Sequence, residues 1–377
     1  MGNVPHLRFP EFSGEWDSER LENLTVSIGD GLHSTPVYCE QGDYCFINGN
    51  NIIDGKVSIN EKTLRVTKEE AYKYNAALLK VDTILMSING TIGNVALYNG
   101  ENIMLGKSAC YINPSSRIVR EYLFHILSSP RIQAYFQGEV TGTTIKNLSL
   151  RTIRGSKILL PSNEEQKKIA RLFSLVDERI ATQNKIIEDL KKLKSAIYQN
   201  LFFHLQGDKV PLSELAEIIK GQQINGSELS ENGKYYVMNG GITPSGYYDN
   251  YNTEADTISI SEGGNSCGYV QYNSSDFWSG GHCYTLRIKP TALISTPFLF
   301  HFLKWKEPDI MALRSGSGLP NIQKKDLSKV CIIVPTLDEQ QQLIALLSTF
   351  QMKIENEEIF TSNLNKQKQH LLSQMFI

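Results

Sequence analysis

Pro161 to Phe202 reads PSNEEQKKIARLFSLVDERIATQNKIIEDLKKLKSAIYQNLF, and the fold follows from it. Ser162 with Glu165 three residues later is a capping box: the hydroxyl takes one orphan amide and the carboxylate reaches back for another. Apolar residues then recur at Ile169, Leu172, Val176, Ile180, Ile187, Leu190, Ile197 and Leu201. The steps are threes, fours or their sums, so one stripe of a long helix is apolar. No Gly or Pro interrupts it, and about 40 residues at 1.5 Å each make a rod of ~60 Å.

The rod occurs twice. Adding 174 to each number maps it without a gap onto Pro335 to Phe376, PTLDEQQQLIALLSTFQMKIENEEIFTSNLNKQKQHLLSQMF. Ser162 meets Thr336, Glu165-Gln166 meets Glu339-Gln340, and Phe202 meets Phe376. The stripe returns at Leu343, Leu346, Phe350, Ile354, Leu364, Leu371 and Met375. A lone rod with one apolar stripe is unstable, whereas two such rods bury each other's stripe as a coiled coil. Antiparallel pairing is expected, because the intervening segment must carry the chain back.

Around the rods the sequence is turn-rich. Gly29-Asp30-Gly31, Asn48-Gly49-Asn50-Asn51 and Asp54-Gly55 punctuate short apolar runs, Thr83 to Ile88 reads as a strand ending at Asn89-Gly90, and Glu121 to Leu127 reads as a helix. Gly207 suits a helix C-cap. The expected order is a first globule at 1–155, a rod at 156–206, a second globule at 207–330 and a rod at 331–377. The fold class is α+β: two mixed, strand-rich domains separated by two long antiparallel helices, with an internal pseudo-two-fold repeat. The repeat extends into the globules. Asp82-Thr83-Ile84 matches Asp256-Thr257-Ile258, Ser87 matches Ser261, Gly90 matches Gly264, and Gly142 and Asn147 match Gly316 and Asn321. YLFHIL from Tyr122 matches FLFHFL from Phe298 with a two-residue slip, while TVSIGDGLHSTPVYCEQGDYCF shows no evident partner.

Composition is that of an ordinary globular protein, with net charge −2 and a pI near 6.4, which counts mildly against nucleic acid. The charge is uneven, however. Residues 101–160 and 281–330 each hold eight basic and three acidic side chains, a net +5 per half, which fits a partner with two anionic contact sites. No apolar run approaches a membrane span, and the start, MGNVPHLRFPEFSGEW, lacks a targeting pattern. Cys39, Cys45, Cys110, Cys267, Cys283 and Cys331 form no C-x-x-C pair and read as reduced cysteines of a cytoplasmic protein.

Catalytic patterns are weak. Gly100 to Ser108, GENIMLGKS, has Glu101 where a phosphate-binding loop needs Gly. Glu165-Gln166-Lys167 is explained by the capping box, and its repeat has Gln341 in place of the lysine. No glycine-rich cofactor fingerprint and no Asn-Pro-Pro-aromatic string occurs. His125 and His301 recur on apolar helices, as hydrogen-bonded core histidines do. Binding patterns are better. Thr141, Gly142, Thr143, Thr144, Lys146 and Asn147 occupy the same place before the first rod as Arg314, Ser315, Gly316, Ser317 and Asn321 before the second. Small hydroxyl and Gly residues let backbone amides approach phosphate, Lys146 and Arg314 supply charge, and the asparagines donate to phosphate or base edges. An ordinary connector has the same composition. The turn after the matched strand offers Ser87, Asn89, Thr91 and Asn94 against Ser261, Glu262, Asn265 and Ser266. Asn reads adenine and Glu accepts from cytosine. Gly31-Leu32-His33-Ser34-Thr35 is a third candidate.

The whole chain resembles the specificity subunit of type I restriction-modification systems. The carriers are HLRFPEF…W, Leu21-Glu22-Asn23-Leu24, the two P-x-x-[ED]-E-Q helices, GTTIKNLS from Gly142 and GSGLPNIQ from Gly316. The resemblance implies two target-recognition domains, each reading one half of a bipartite, asymmetric double-stranded DNA site. It implies rods that set the spacing and dock two modification subunits, with restriction subunits in the full complex. It implies no catalysis and no cofactor in this chain, S-adenosylmethionine being held by the modification subunit. The alternative is a stand-alone scaffold whose basic faces bind an acidic protein; a methyltransferase ranks third.

Overall fold

The computed structural model describes residues 3–142, 146–316, 318 and 320–376. They form two compact units: Met1–Asn184 with Ile359–Ile377, and Lys185–Glu358. Both long helices are continuous, Asn163–Phe203 and Leu337–Met375. Each unit holds one end of each, and within each unit the pairing is antiparallel. In the first, Phe173 stacks on Phe376 at 5.6 Å and Asp177 meets Lys368 at 2.5 Å. In the second, Lys191 meets Glu358 at 2.6 Å and Lys194 bonds Gln351 at 2.5 Å.

Each unit is built on an antiparallel four-stranded sheet. In the first the spatial order is Thr25–Asp30, Ala109–Pro114, Ile84–Ser87, Val95–Leu97; in the second it is Ala216–Lys220, Cys283–Ile288, Thr257–Ser261, Val270–Asn273. A two-stranded ribbon closes each domain just before its rod: Asp17–Arg20 on Lys157–Leu160, and Asp208–Pro211 on Cys331–Val334. The expected strand and helix near residues 84 and 121 are present as Ile84–Ser87 and Arg120–Leu127. The stretch without a visible repeat partner does have one. Gly31 and Gly221 both donate their amides across the sheet, to the carbonyls of Ala109 and Cys283. A Cβ on either would lie 2.2 Å from a facing carbonyl oxygen, so both must be Gly. The match was hidden because the N-terminal offset is 190 or 191 instead of 174: unit 1 carries 17 extra residues between Asn48 and Thr83.

The rods depart from their expected stripe in an informative way. Leu346 is exposed, whereas Leu347, Phe173, Phe202 and Leu372 are fully buried. Each rod end packs against a globule as well as the other helix, so the buried face is wider than a coiled-coil seam. Phe202 sits among Phe298, Phe302 and Trp305, and its repeat partner Phe376 sits against Tyr122 and Phe173. Gly207 is not a cap: it lies four residues past the helix end, where a Cβ would strike the Val334 carbonyl.

Only the second rod forms the full capping box. The Thr336 amide and hydroxyl both donate to Glu339, at 3.0 and 2.8 Å, and the Glu339 amide returns to the Thr336 oxygen at 3.4 Å. In the first rod the Glu165 amide does reach Ser162, but its carboxylate accepts from Arg8 Nε and Nη2, at 2.7 and 2.8 Å. The HLRFPEF opening thereby ties down the rod, with Lys168 over the Phe9 ring and Trp16 buried against Tyr122. The Gln of each E-Q pair is the junction with the globule. Gln166 accepts from the Val119 amide and donates to the Pro161 carbonyl; Gln340 accepts from the Ser295 amide and donates to the carbonyls of Leu293 and Pro335. Both side chains are buried. Truncating Gln340 strands several buried polar groups, at about 1–3 kcal/mol for a typical loss. Gln340→Ala is therefore expected to lower the melting temperature of the chain by several degrees, while Glu339→Ala, at an exposed cap, lowers it less. Equal shifts in thermal denaturation would contradict the junction role.

Candidate nucleic-acid interface

The two stretches singled out before the rods and after the matched strands are one surface element, present once per unit. In the first unit Thr141 and Asn147 exchange backbone hydrogen bonds at 2.8 and 3.0 Å, Gly90 donates to the Lys146 carbonyl at 3.0 Å, and Leu148 donates to Ile88 at 2.8 Å. In the second, Ser315 and Asn321 exchange bonds at 2.9 and 3.0 Å, Gly264 donates to Pro320 at 3.0 Å, and Ile322 donates to Glu262 at 2.8 Å. Every one of these bonds reappears 174 residues on. Gly90 and Gly264 have matching φ of 73° and 78°, in the left-handed region that favours Gly. Thr143, Thr144 and Ser317 lie outside the described residues.

A second turn, met in the sequence only as the end of the weak phosphate-loop pattern Gly100 to Ser108, is the hub of this face. Gly106-Lys107-Ser108 joins the strands Ile103–Leu105 and Ala109–Pro114. Its Lys107 carbonyl accepts from the Asn89 side chain at 3.1 Å, and Ser108 Oγ accepts from the Gly49 amide and donates to Asn48 Oδ1, both at 2.9 Å. Leu32, just before His33 and Ser34, bridges to Gly106. In the second unit Gly280-Gly281-His282 has the same place: Asn239 Oδ1 accepts from the His282 amide at 3.1 Å, and the His282 carbonyl accepts from the Glu262 amide at 2.9 Å. The paired Asn-Gly steps, 48-49 and 239-240, were the signal available in the sequence, masked by the shifted offset. The Gly-Lys-Ser turn runs into a strand, whereas a phosphate-binding loop opens a helix.

The structure reassigns several candidates. Ser87 is buried and its Oγ accepts from the Asn94 amide; Asn94 in turn donates its side chain to the Ile52 carbonyl. Ser261 is buried and donates to the Gly240 carbonyl at 2.6 Å. Glu262 occupies the place of Ile88 and points inward, accepting from Lys220 at 2.8 Å and from the Tyr284 hydroxyl at 2.9 Å. Both bonds fall on Oε1; Oε2 is buried and has no hydrogen-bond partner among the described residues. Asn89 holds Lys107 with its amide, and His33 pairs with Asp30 at 2.6 Å. Thr91, Thr141, Gly142, Lys146, Arg314, Ser315, Gly316, Asn265 and Ser34 are exposed, and Asn147 and Asn321 are partly so. His301 bonds the Tyr198 hydroxyl, and burial with Lys194 nearby pushes it down to about 4. His125 is buried and pushed down to about 3 by desolvation and Lys368, but its Nδ1 has no hydrogen-bond partner among the described residues. Both are neutral core residues.

The equal charge of the two halves is not equal at the surface. In the second, Lys304, Lys306, Arg287 and Lys329 pair with Glu307, Asp309, Glu217 and Asp326, and Lys289 donates to the Ser213 carbonyl; Arg314, Lys324 and Lys325 form no ion pair among the described residues. In the first, Arg117 pairs with Glu19, Arg120 with Glu121, and Arg154 donates to the Ile28 carbonyl. There Lys107, Arg131, Lys146, Arg151 and Lys157 form none among the described residues.

The chain is thus a repeated domain carrying one such loop-and-turn element per copy, and comparison with known proteins says which family has this plan. The family profile described as type I restriction modification DNA specificity domain matches residues 14–192 and again 207–364. The chain belongs to that family: it is a type I specificity subunit with two specificity domains. It is 36% identical over 149 residues to a putative type I specificity subunit of Mycoplasma pneumoniae, covering 39% of this chain and 40% of that protein. It is 24% identical to the putative type I restriction enzyme MjaX specificity subunit of Methanocaldococcus jannaschii, covering 98% and 95% of the two chains. The crystal structure of the type I restriction-modification S subunit from M. genitalium shares the fold, with a TM-score of 0.62 at 22% identity over 99% of each chain. Among the described residues no helix is long and apolar enough to cross a membrane.

Proposed function

We propose that the chain reads double-stranded DNA without catalysing anything, each domain addressing one half of a bipartite site through its own loop-and-turn element. The observation that carries this is the doubling: the same backbone hydrogen bonds hold the same surface loops in both units, while the exposed side chains on them differ. A rigid, repeated frame with divergent tips suits two readers of different sequences. The rods then space the readers and dock two modification subunits, which hold S-adenosylmethionine; restriction subunits join in the full complex. The protein then works in the cytoplasm, where the DNA is.

A gel shift of the full chain on genomic fragments at two salt concentrations tests this. Expected are a sequence preference and a steep salt dependence from released counterions. Salt dependence without preference, together with capture by an acidic protein, would favour the scaffold alternative. The purified chain alone is expected to transfer no methyl group from radiolabelled S-adenosylmethionine. Arg314→Ala is expected to weaken binding about equally on all sequences and to reduce the salt slope by ~0.9, the value for one phosphate contact. A changed target preference with an unchanged slope would assign Arg314 to base reading.

A further inference from the structure

The hub turn of the first unit brings together two lysines that lie far apart in sequence. The Asn89-Gly90 turn is held on both sides: Asn89 donates its side-chain amide to the Lys107 carbonyl, and Gly90 donates its backbone amide to the Lys146 carbonyl. Lys107 and Lys146 therefore flank one exposed turn. Both are exposed, and among the described residues neither forms an ion pair. In the second unit the backbone frame recurs, with Gly264 donating to Pro320 and the Glu262 amide to His282, but Gly263 in place of Asn89 cannot make the side-chain bond, and Gly281 and Pro320 stand in place of Lys107 and Lys146. The frame is repeated and the charge is not.

We propose that Lys107 and Lys146 form a two-cation phosphate clamp astride the Asn89-Gly90 turn, present in the first unit alone, so that the two half-sites are gripped by different physical means. The proposal rests on the DNA-reading function above. Two lysines rooted on either side of one pinned turn concentrate positive charge where a phosphate backbone can meet both, and a Lys contact carries charge without base information. The first unit then supplies a larger share of the salt-sensitive affinity. The second, with Gly281, Pro320 and an exposed His282 on the same frame, depends more on groove contacts.

The test compares the full chain, K107A/K146A, K107R/K146R and, for the second unit, K324A/K325A on a duplex carrying the complete target, by fluorescence anisotropy across salt. The alanine pair is expected to keep the wild-type melting temperature, because both side chains are exposed. Its salt slope is expected to fall by ~1.8, so that affinity lost between 50 and 200 mM salt shrinks about tenfold relative to wild type. Base preference is unchanged at both half-sites, and the arginine pair keeps the wild-type slope. Phosphate ethylation interference is expected to disappear on one side of the spacer only. If wild type binds with a steep slope and the alanine pair matches it, the clamp is wrong and the DNA-reading function stands. A changed base preference in the alanine pair, or loss of interference on both sides, also overturns the clamp. If wild type itself shows no salt-dependent, sequence-preferring binding, the function fails and the clamp with it.

Discussion

Replacing residues 209–330 with the equivalent stretch of a related specificity subunit is expected to change one half of the DNA target and leave the other half intact. The stretch is nearly self-contained. It holds the sheet built on Ala216–Lys220, Cys283–Ile288, Thr257–Ser261 and Val270–Asn273, and its ends meet in the ribbon of Asp208–Pro211 on Cys331–Val334. Ribbon pairing uses backbone groups, so it tolerates new side chains. What the donor must keep is the junction: the Ser295 amide and Leu293 carbonyl held by Gln340, and the aromatic pocket of Phe298, Phe302 and Trp305 around Phe202. Each wrong base pair costs about 1–3 kcal/mol, so two altered pairs already lower affinity for the original target by about a hundredfold. Methylation mapping in cells that supply the modification subunit reads the result. If both halves of the target change, the units do not read independently.

The second large effect concerns the rods as a ruler. Thr182 and Asn356 are equivalent under the 174-residue repeat, and both lie inside continuous helix. Inserting one heptad after each keeps the apolar period and lengthens the pair by ~10 Å. DNA rises 3.4 Å per base pair, so the half-sites are expected to move apart by about three pairs. Three pairs also turn the duplex by roughly 100°, at about 10.5 pairs per turn, whereas the helices rotate only slightly per heptad. The readers cannot follow that turn without twisting the DNA. Weaker binding to the original target is expected, and the specificity that remains is expected to prefer a spacer two to three pairs longer with both half-sites unchanged. Full modification at the original spacing would show that the rods do not set the distance.

The rods, the repeat, the strand at Ile84–Ser87 and the loop before each rod were legible in the sequence, because helical period, cap chemistry and Gly-bearing turns are local signals. Local signals do not say which way a side chain points once several segments meet. Ser87, Ser261 and Glu262 have the residue types of base readers, yet the sheet turns them inward onto the Asn94 amide, the Gly240 carbonyl and the Lys220–Tyr284 pair. Glu165 has the spacing of a capping residue, yet Arg8, 157 positions away, offers it two charge-assisted bonds, which outweigh one bond to a backbone amide. Leu346 fits the stripe, but Leu347 is buried because a globule packs on that face. Lys107 and Lys146 sit on strand-linked loops 39 residues apart, and only the Asn89 side-chain bond to one and the Gly90 backbone bond to the other make them neighbours. The two-rod, two-domain plan is written in periodicity and an ungapped offset, and needs no tertiary contact to be read. Which polar groups are spent on the frame and which remain free for a ligand was decided by tertiary structure, because hydrogen-bond satisfaction depends on partners distant in the chain.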